Sequence, residues 1–200
     1  MALRLPRSAE REFIAAANVV AIYVAAIPSG PSYVSISRDL LHSLIALRRR
    51  WPGVRIVSAH WVGDKTEARL ICREVNASLP GGASGLLAAD AKAATRRVEN
   101  VAARMGFVLT DHADVLLRAR AAVAFVEDKI AQQQASGELR WFNQAYRAWR
   151  LAAQAEGRSM TYAEARARLR RRMFREALMS SKFQEVSNSI FPPLRTLNLD

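Results

Sequence analysis

Residues 19–26 read VVAIYVAA, and after Ile27, Pro28, Ser29, Gly30 and Pro31 the chain resumes as SYVSIS over Ser32–Ser37. The first run is continuously apolar and of strand length, which predicts a buried strand. The second alternates, as a strand with one packed face does. Proline and glycine between them mark a turn, and so short a connection cannot make a parallel crossover. The two strands therefore form an antiparallel hairpin.

Working outward, Ser37 is the expected N-cap of a helix, with Asp39 countering the dipole in its first turn. Leu40, Leu41, Leu44, Ile45 and Leu47 then recur at core spacing, and Trp51, Pro52 and Gly53 stop the helix after Arg50. Residues 54–62 (VRIVSAHWV) predict a third strand with Val54, Ile56, Ser58, His60 and Val62 on one face. Asp64 and Glu67 have the spacing of a capping box, opening a helix through Leu79 that Pro80 to Gly85 closes.

The chain before this unit, residues 1–12, is polar and reads as irregular or weakly helical. After it, residues 88–105, 111–134 and 139–155 predict three helices rich in Ala and Arg. Thr161 and Glu164 form a second capping box and start a fourth. Pro192 and Pro193 forbid regular structure in a tail over 180–200. The expected fold class is α+β: a small three-stranded antiparallel sheet in β-β-α-β-α order with flanking helices, then an all-α basic region. The expected divisions are 1–85, 86–178 and 179–200.

Thirty Lys and Arg against 18 Asp and Glu leave the 200-residue chain at +12, with a pI of about 11.1. Nearly all of this charge is arginine, whose planar fork pairs with phosphates and stacks on bases, so DNA or RNA is the expected partner. A GC-rich coding sequence would also raise Arg and Ala together. Cys72 is the only cysteine, which excludes an intramolecular disulfide and fits a cytoplasmic protein. The apolar stretch 14–27 follows Arg4, Arg7 and Arg11 in the manner of a signal peptide, yet Glu10 and Glu12 precede it and Asn18 and Tyr23 interrupt it. It is too short to span a bilayer, so neither export nor a membrane partner is expected.

The paired tripeptides Ala21-Ile22-Tyr23 and Tyr33-Val34-Ser35 resemble those of the GIY-YIG nuclease superfamily, with Ala for the first Gly and Ser for the last. Ser37-Arg38-Asp39-Leu40 is similar to the turn that follows in that family. Glu67, with Leu70 and Ile71 after it, stands where the family carries a helical glutamate. Gly137, Glu138, Trp141 and Phe142 are similar to the terminal signature of compact phage-type members, with a two-residue insertion. The resemblance covers residues 19–79. It implies that Tyr23 helps activate a water, that Tyr33 assists in the phosphate pocket, and that Glu67 binds one divalent metal. Mg²⁺ would be that cofactor if the chain is catalytically active, since it takes a carboxylate and keeps its waters.

One part of the constellation is missing. The family's helix arginine falls at Ser43, preceded by His42, and neither spreads fixed positive charge over a phosphate. Arg38 lies earlier, and Arg48, Arg49 and Arg50 lie one to two turns further on. Removing charge aimed at a transition state costs about 10² in rate or more. Each catalytic candidate also has a plainer explanation: Tyr23 and Tyr33 fill strand faces, and Glu67 serves the Asp64 cap. His42 and His60 lack a third metal ligand, and Cys72 reads as a small core residue.

Residues 139–175 hold ten arginines against two acids, Glu156 and Glu164, and so carry eight of the twelve net charges. Arg147 lies among Trp141, Phe142, Tyr146 and Trp149, where Trp141, Ala145, Trp149 and Ala152 are spaced as a buried stripe. Further on, Arg166, Arg168, Arg170, Arg171, Arg172 and Arg175 cover most of one helix. Like charges at that spacing repel, and a polyanion would relieve them. The first reading is therefore a nucleic-acid-binding protein on a degenerate GIY-YIG-like fold with weak or no cleavage. Two others remain open: an active Mg-dependent endonuclease in which Arg38 or Arg48 supplies the missing charge, and an adaptor for an acidic protein.

Overall fold

The VVAIYVAA run lies where its composition demands, in the centre of a sheet. The computed structural model of the chain describes residues 3–28, 30–78 and 85–179. They form α1 (Ser8–Ala16), β1 (Val20–Ala26), β2 (Ser32–Ser37), α2 (Leu40–Arg50), β3 (Arg55–Val62), α3 (Lys65–Ala77), β4 (Leu86–Leu87), α4 (Ala91–Arg104), β5 (Thr110–Asp111), α5 (His112–Ala135), α6 (Arg140–Ala155) and α7 (Tyr162–Met179). The chain divides into two compact units. Among the described residues the first comprises 3–7 and 18–117, the second 8–17 and 118–179.

In the first unit the strands run in the order β4-β2-β1-β3-β5, and every pairing is antiparallel. The three-stranded sheet expected from the sequence is thus corrected to five strands. The added edges pair Leu86 and Leu87 with β2, and Thr110 and Asp111 with β3. Two residues are too few to show a period of two, so neither edge could be read as a strand. Val20, Ile22 and Val24 of β1 face one way and join Val34 and Val62. Over them lie Ala68, Ile71 and Val75 of α3 and Ala94, Val98 and Val101 of α4. α4, expected in the separate helical region, belongs to this layer: Ser58 of β3 meets Thr95 of α4 at 2.7 Å.

Ala21, Tyr23 and Ala25 alternate to the other face, opposite Ser37, Ser35 and Tyr33 of β2. The register with β3 slips between Val24 and Ala25, which lie opposite Ser58 and Ile56. That slip breaks the single face expected for β3, leaving Ser58, His60 and Val62 with Val24 and moving Ile56 to the Tyr23 side. On the same side, Trp61 is buried with its ring over His112. Trp61 Nε1 donates to His112 Nδ1 at 3.1 Å. His112 Nε2 lies 2.7 Å from the Arg4 carbonyl.

Asp39, not Ser37, caps α2, accepting from the amides of Leu41 and His42 at 3.0 and 3.1 Å. Ser37 instead braces the cap, because its hydroxyl accepts from the Asp39 amide at 3.0 Å. Asp64 caps α3 through the Thr66 amide at 2.8 Å. The expected continuation of α3 to Leu79, the segment Pro80 to Ser84, and the tail over 180–200 lie outside the described residues. Gly85 has φ +77° and accepts from the Val34 amide at 2.9 Å.

The second unit is helical. Of the stretch 1–12, expected to be irregular or weakly helical, residues 8–12 open the regular helix α1, whose Phe13 meets Phe174 of α7 edge-on at 5.6 Å. Ala119, Ala122, Val126 and Ile130 form the buried stripe of α5 in this unit. Thr161 and Glu164 make both bonds of the capping box, 3.2 Å from Thr161 Oγ1 to the Glu164 amide and 2.8 Å from Glu164 to the Thr161 amide. On α6 the buried residues are Phe142 and Ala153, and Trp141 is exposed. The predicted stripe through Trp141 and Ala152 is therefore rotated. Among the described residues no helix is long and apolar enough to cross a membrane.

Candidate functional site

Tyr23 and Tyr33 do come together. Adjacent strands and a shared face put their ring centroids 6.3 Å apart. Tyr33 in turn meets Trp51 at 5.4 Å, and the Arg50 guanidinium lies 4.4 Å from the Trp51 ring. A row of three rings ending in a cation thus leads from the sheet interior to the end of α2. In the sequence Trp51 reads as a helix stop, although its place beside Arg50 and before Pro52 is a usable signal.

Tyr23 is only 4% exposed. Burial, then the neighbouring Tyr33, push its hydroxyl up to about 12, against hydrogen bonds shared with the Ser35 and Ser43 side chains. Ser43 also donates to Ser37 at 2.7 Å. The position where the resemblance places an arginine therefore holds a serine that completes a hydroxyl cluster over Tyr23. A phenol so held keeps its proton well beyond physiological pH.

Glu67 is not part of this cluster. It rides in the first turn of α3, the helix that packs on the Val20, Ile22 and Val24 face, opposite the tyrosines. Burial and then Asp64 raise its carboxyl above the usual range. A single Mg²⁺ serving Tyr23 and Glu67 together does not fit this placement. Among the described residues no group of three or more His, Cys, Asp or Glu could hold a metal. His42 is exposed on α2, whereas His60 is buried on the α4 side. The His60 nitrogens point apart, Nε2 at 3.5 Å from Glu99 and Nδ1 at 3.6 Å from Asp111. Arg38, Arg48 and Arg49 are exposed, as is Arg50.

The arginines of the second unit fall into two sets. Arg170 bonds both oxygens of Glu12 at 3.0 Å and one oxygen of Glu127 at 3.2 Å. Arg166 reaches the other Glu127 oxygen at 2.6 Å. Burial opposes ionisation of Glu127, but Arg166 and Arg170 outweigh it and hold the carboxyl below its ordinary range. Two of the arginines assigned to a polyanion are thus already neutralised from within. Their partners were invisible in residues 139–175 because they come from α1 and α5.

The second set points outward. Arg147, Arg168, Arg171, Arg172 and Arg175 are exposed. Arg168 lies 5.6 Å from the Trp149 ring and Arg172 lies 5.1 Å from the Trp141 ring. Arg172 also bonds Glu176 at 2.8 Å, one turn on. Phe142 is the buried hub beneath, touching Trp141, Trp149 and Tyr162 edge-on. A guanidinium beside a ring retains N–H edges for an anion, and that of Arg172 is shared with Glu176. Compared with protein-family models, curated proteins and solved structures, the chain matches none.

Proposed function

We propose that this protein binds nucleic acid through the outward face of α6 and α7 and cleaves it weakly or not at all. The observation that carries the reading is the pairing of exposed Arg168 and Arg172 with Trp149 and Trp141, in a chain of net charge +12. Arginines held over aromatic rings are pre-ordered, which reduces the entropy lost when they meet phosphate. The sheet is a degenerate GIY-YIG-like scaffold in this reading. The β1-β2-α2-β3-α3 order supports it, and Tyr23 has become core while Tyr33 is half-buried beside it. Ser43 in the arginine position and Glu67 on the opposite layer favour binding over cleavage. We place the protein in the cytoplasm, where the thiol of Cys72 stays reduced.

A gel-shift series with plasmid and short duplexes, in Mg²⁺, Mn²⁺ or EDTA and across a salt range, tests this. A shift without nicking is expected, with a log–log salt slope of about −0.9 per neutralised phosphate on duplex DNA. Replacing Arg171, Arg172 and Arg175 by Ala should weaken binding to all sequences and flatten the slope. Metal-dependent nicking lost in Tyr23→Phe and Glu67→Ala would show that the scaffold still cuts and overturn the reading.

A further inference from the structure

The α6–α7 face carries more than charge. Trp141 is 40% and Tyr162 43% exposed, both large rings at the surface of a helical unit whose core is already filled by Phe142, Leu169 and Phe174. Tyr146 stands perpendicular to Tyr162 at 5.5 Å. Exposed aromatic surface gains nothing from a phosphate alone, and a duplex keeps its base faces within its own stack. Unpaired bases offer both a flat face for an indole and a phosphate for the adjoining guanidinium.

We propose that the preferred partner is a single-stranded nucleic acid, whose bases stack on Trp141 while Arg168, Arg171 and Arg172 take its phosphates; this rests on the nucleic-acid reading above. The geometry is suited to it. Trp141 and Trp149 are eight residues apart, roughly 12 Å along α6, so a strand lying along the helix meets two rings. Arg168 and Arg172 are one turn apart on α7 and lie beside those rings in reverse order. The Arg172 side chain is 64% exposed despite its bond to Glu176, so a phosphate can displace that surface pair. No helix need enter a groove, and no base edge need be read, which makes the binding tolerant of sequence.

The test compares the full chain with a 20-nucleotide oligothymidylate and with a duplex of equal phosphate count, using fluorescence anisotropy and tryptophan quenching. The single strand should bind more tightly and quench the indole emission. Trp141→Ala, at an exposed position, should lose roughly tenfold or more on the single strand and little on the duplex, as removal of one stacking ring does. Trp141→Phe should recover much of that loss. Equal binding of both nucleic acids, with Trp141→Ala unchanged on each, would sink the single-strand proposal while leaving nucleic-acid binding intact. Failure of both to bind would remove the nucleic-acid reading itself.

Discussion

Arg170 donates to both carboxylate oxygens of Glu12 across 158 positions of sequence, each bond 3.0 Å long. The side chains are 16% and 13% exposed, so this is an interior pair, and it binds the last described helix to the first. It divides the basic helix by role: the inward arginines hold the unit together and the outward ones are available to a ligand.

Arg170→Ala should destabilise the second unit by about 2–4 kcal/mol, because it takes from the largely buried Glu12 both of its Arg170 bonds, while Glu127 keeps Arg166. Arg170→Lys should recover only part, since an ammonium cannot span both Glu12 oxygens. Urea denaturation followed by tryptophan emission gives the shift in midpoint. Loss of nucleic-acid binding without loss of stability would contradict the structural role.

The hydroxyl of Tyr23 is raised to about 12 from an ordinary value near 10. The neutral form is favoured by folding, so the stabilisation is complete below about pH 10 and is lost as pH rises through about 12. In an ultraviolet titration, one of the four tyrosines should be missing from the step near 10 and ionise late. Tyr23→Phe should remove that late step alone; four tyrosines titrating together would contradict the burial.

His112 accepts from Trp61 at Nδ1 and meets the Arg4 carbonyl through Nε2, which assigns its proton to Nε2. His112→Ala orphans a buried indole N–H and should cost about 1–3 kcal/mol. Because the penalty belongs to the unpaired indole, the same substitution should cost less in a Trp61→Phe background. A double-mutant cycle by thermal denaturation measures the difference.

Gly85→Ala places a Cβ 2.9 Å from the Tyr33 ring and from the Val34 carbonyl, at φ +77°. Strain and contact act together, and a loss of roughly 1–3 kcal/mol is expected. Tyr33 touches Trp51, so Trp51 emission should change as well. An unchanged stability would mean that β4 is dispensable to the sheet.

The hairpin, the two helices that follow and the Thr161 cap were legible because each has a local cause: a run of apolar residues, a turn, or a capping side chain. Where pairing partners are distant, the sequence is silent. β4 and β5 exist only by hydrogen bonding to strands already formed, and α1 is held by α7. The arginines on α7 looked uniformly exposed because Glu12 and Glu127 lie far off in the chain. At the candidate site, the two tyrosines were named through the family resemblance, and the register that brings them together is a property of the folded hairpin. The placement of Glu67 on the opposite layer was not legible either, since the side of the sheet that a helix takes is a property of packing. The Arg–Trp pairs were half legible, as composition without geometry.

The partnership of α1 with α7 has a consequence for synthesis. α1 leaves the ribosome first, whereas Arg170 and Phe174, which receive Glu12 and Phe13, arrive some 160 residues later. At about 5–20 residues per second, the wait is on the order of ten to thirty seconds, during which the first unit can close and the second cannot. A nascent chain cut between β5 and α7 holds all five strands of the sheet but lacks the Phe174 and Arg170 that cover Phe13 and Glu12 of α1.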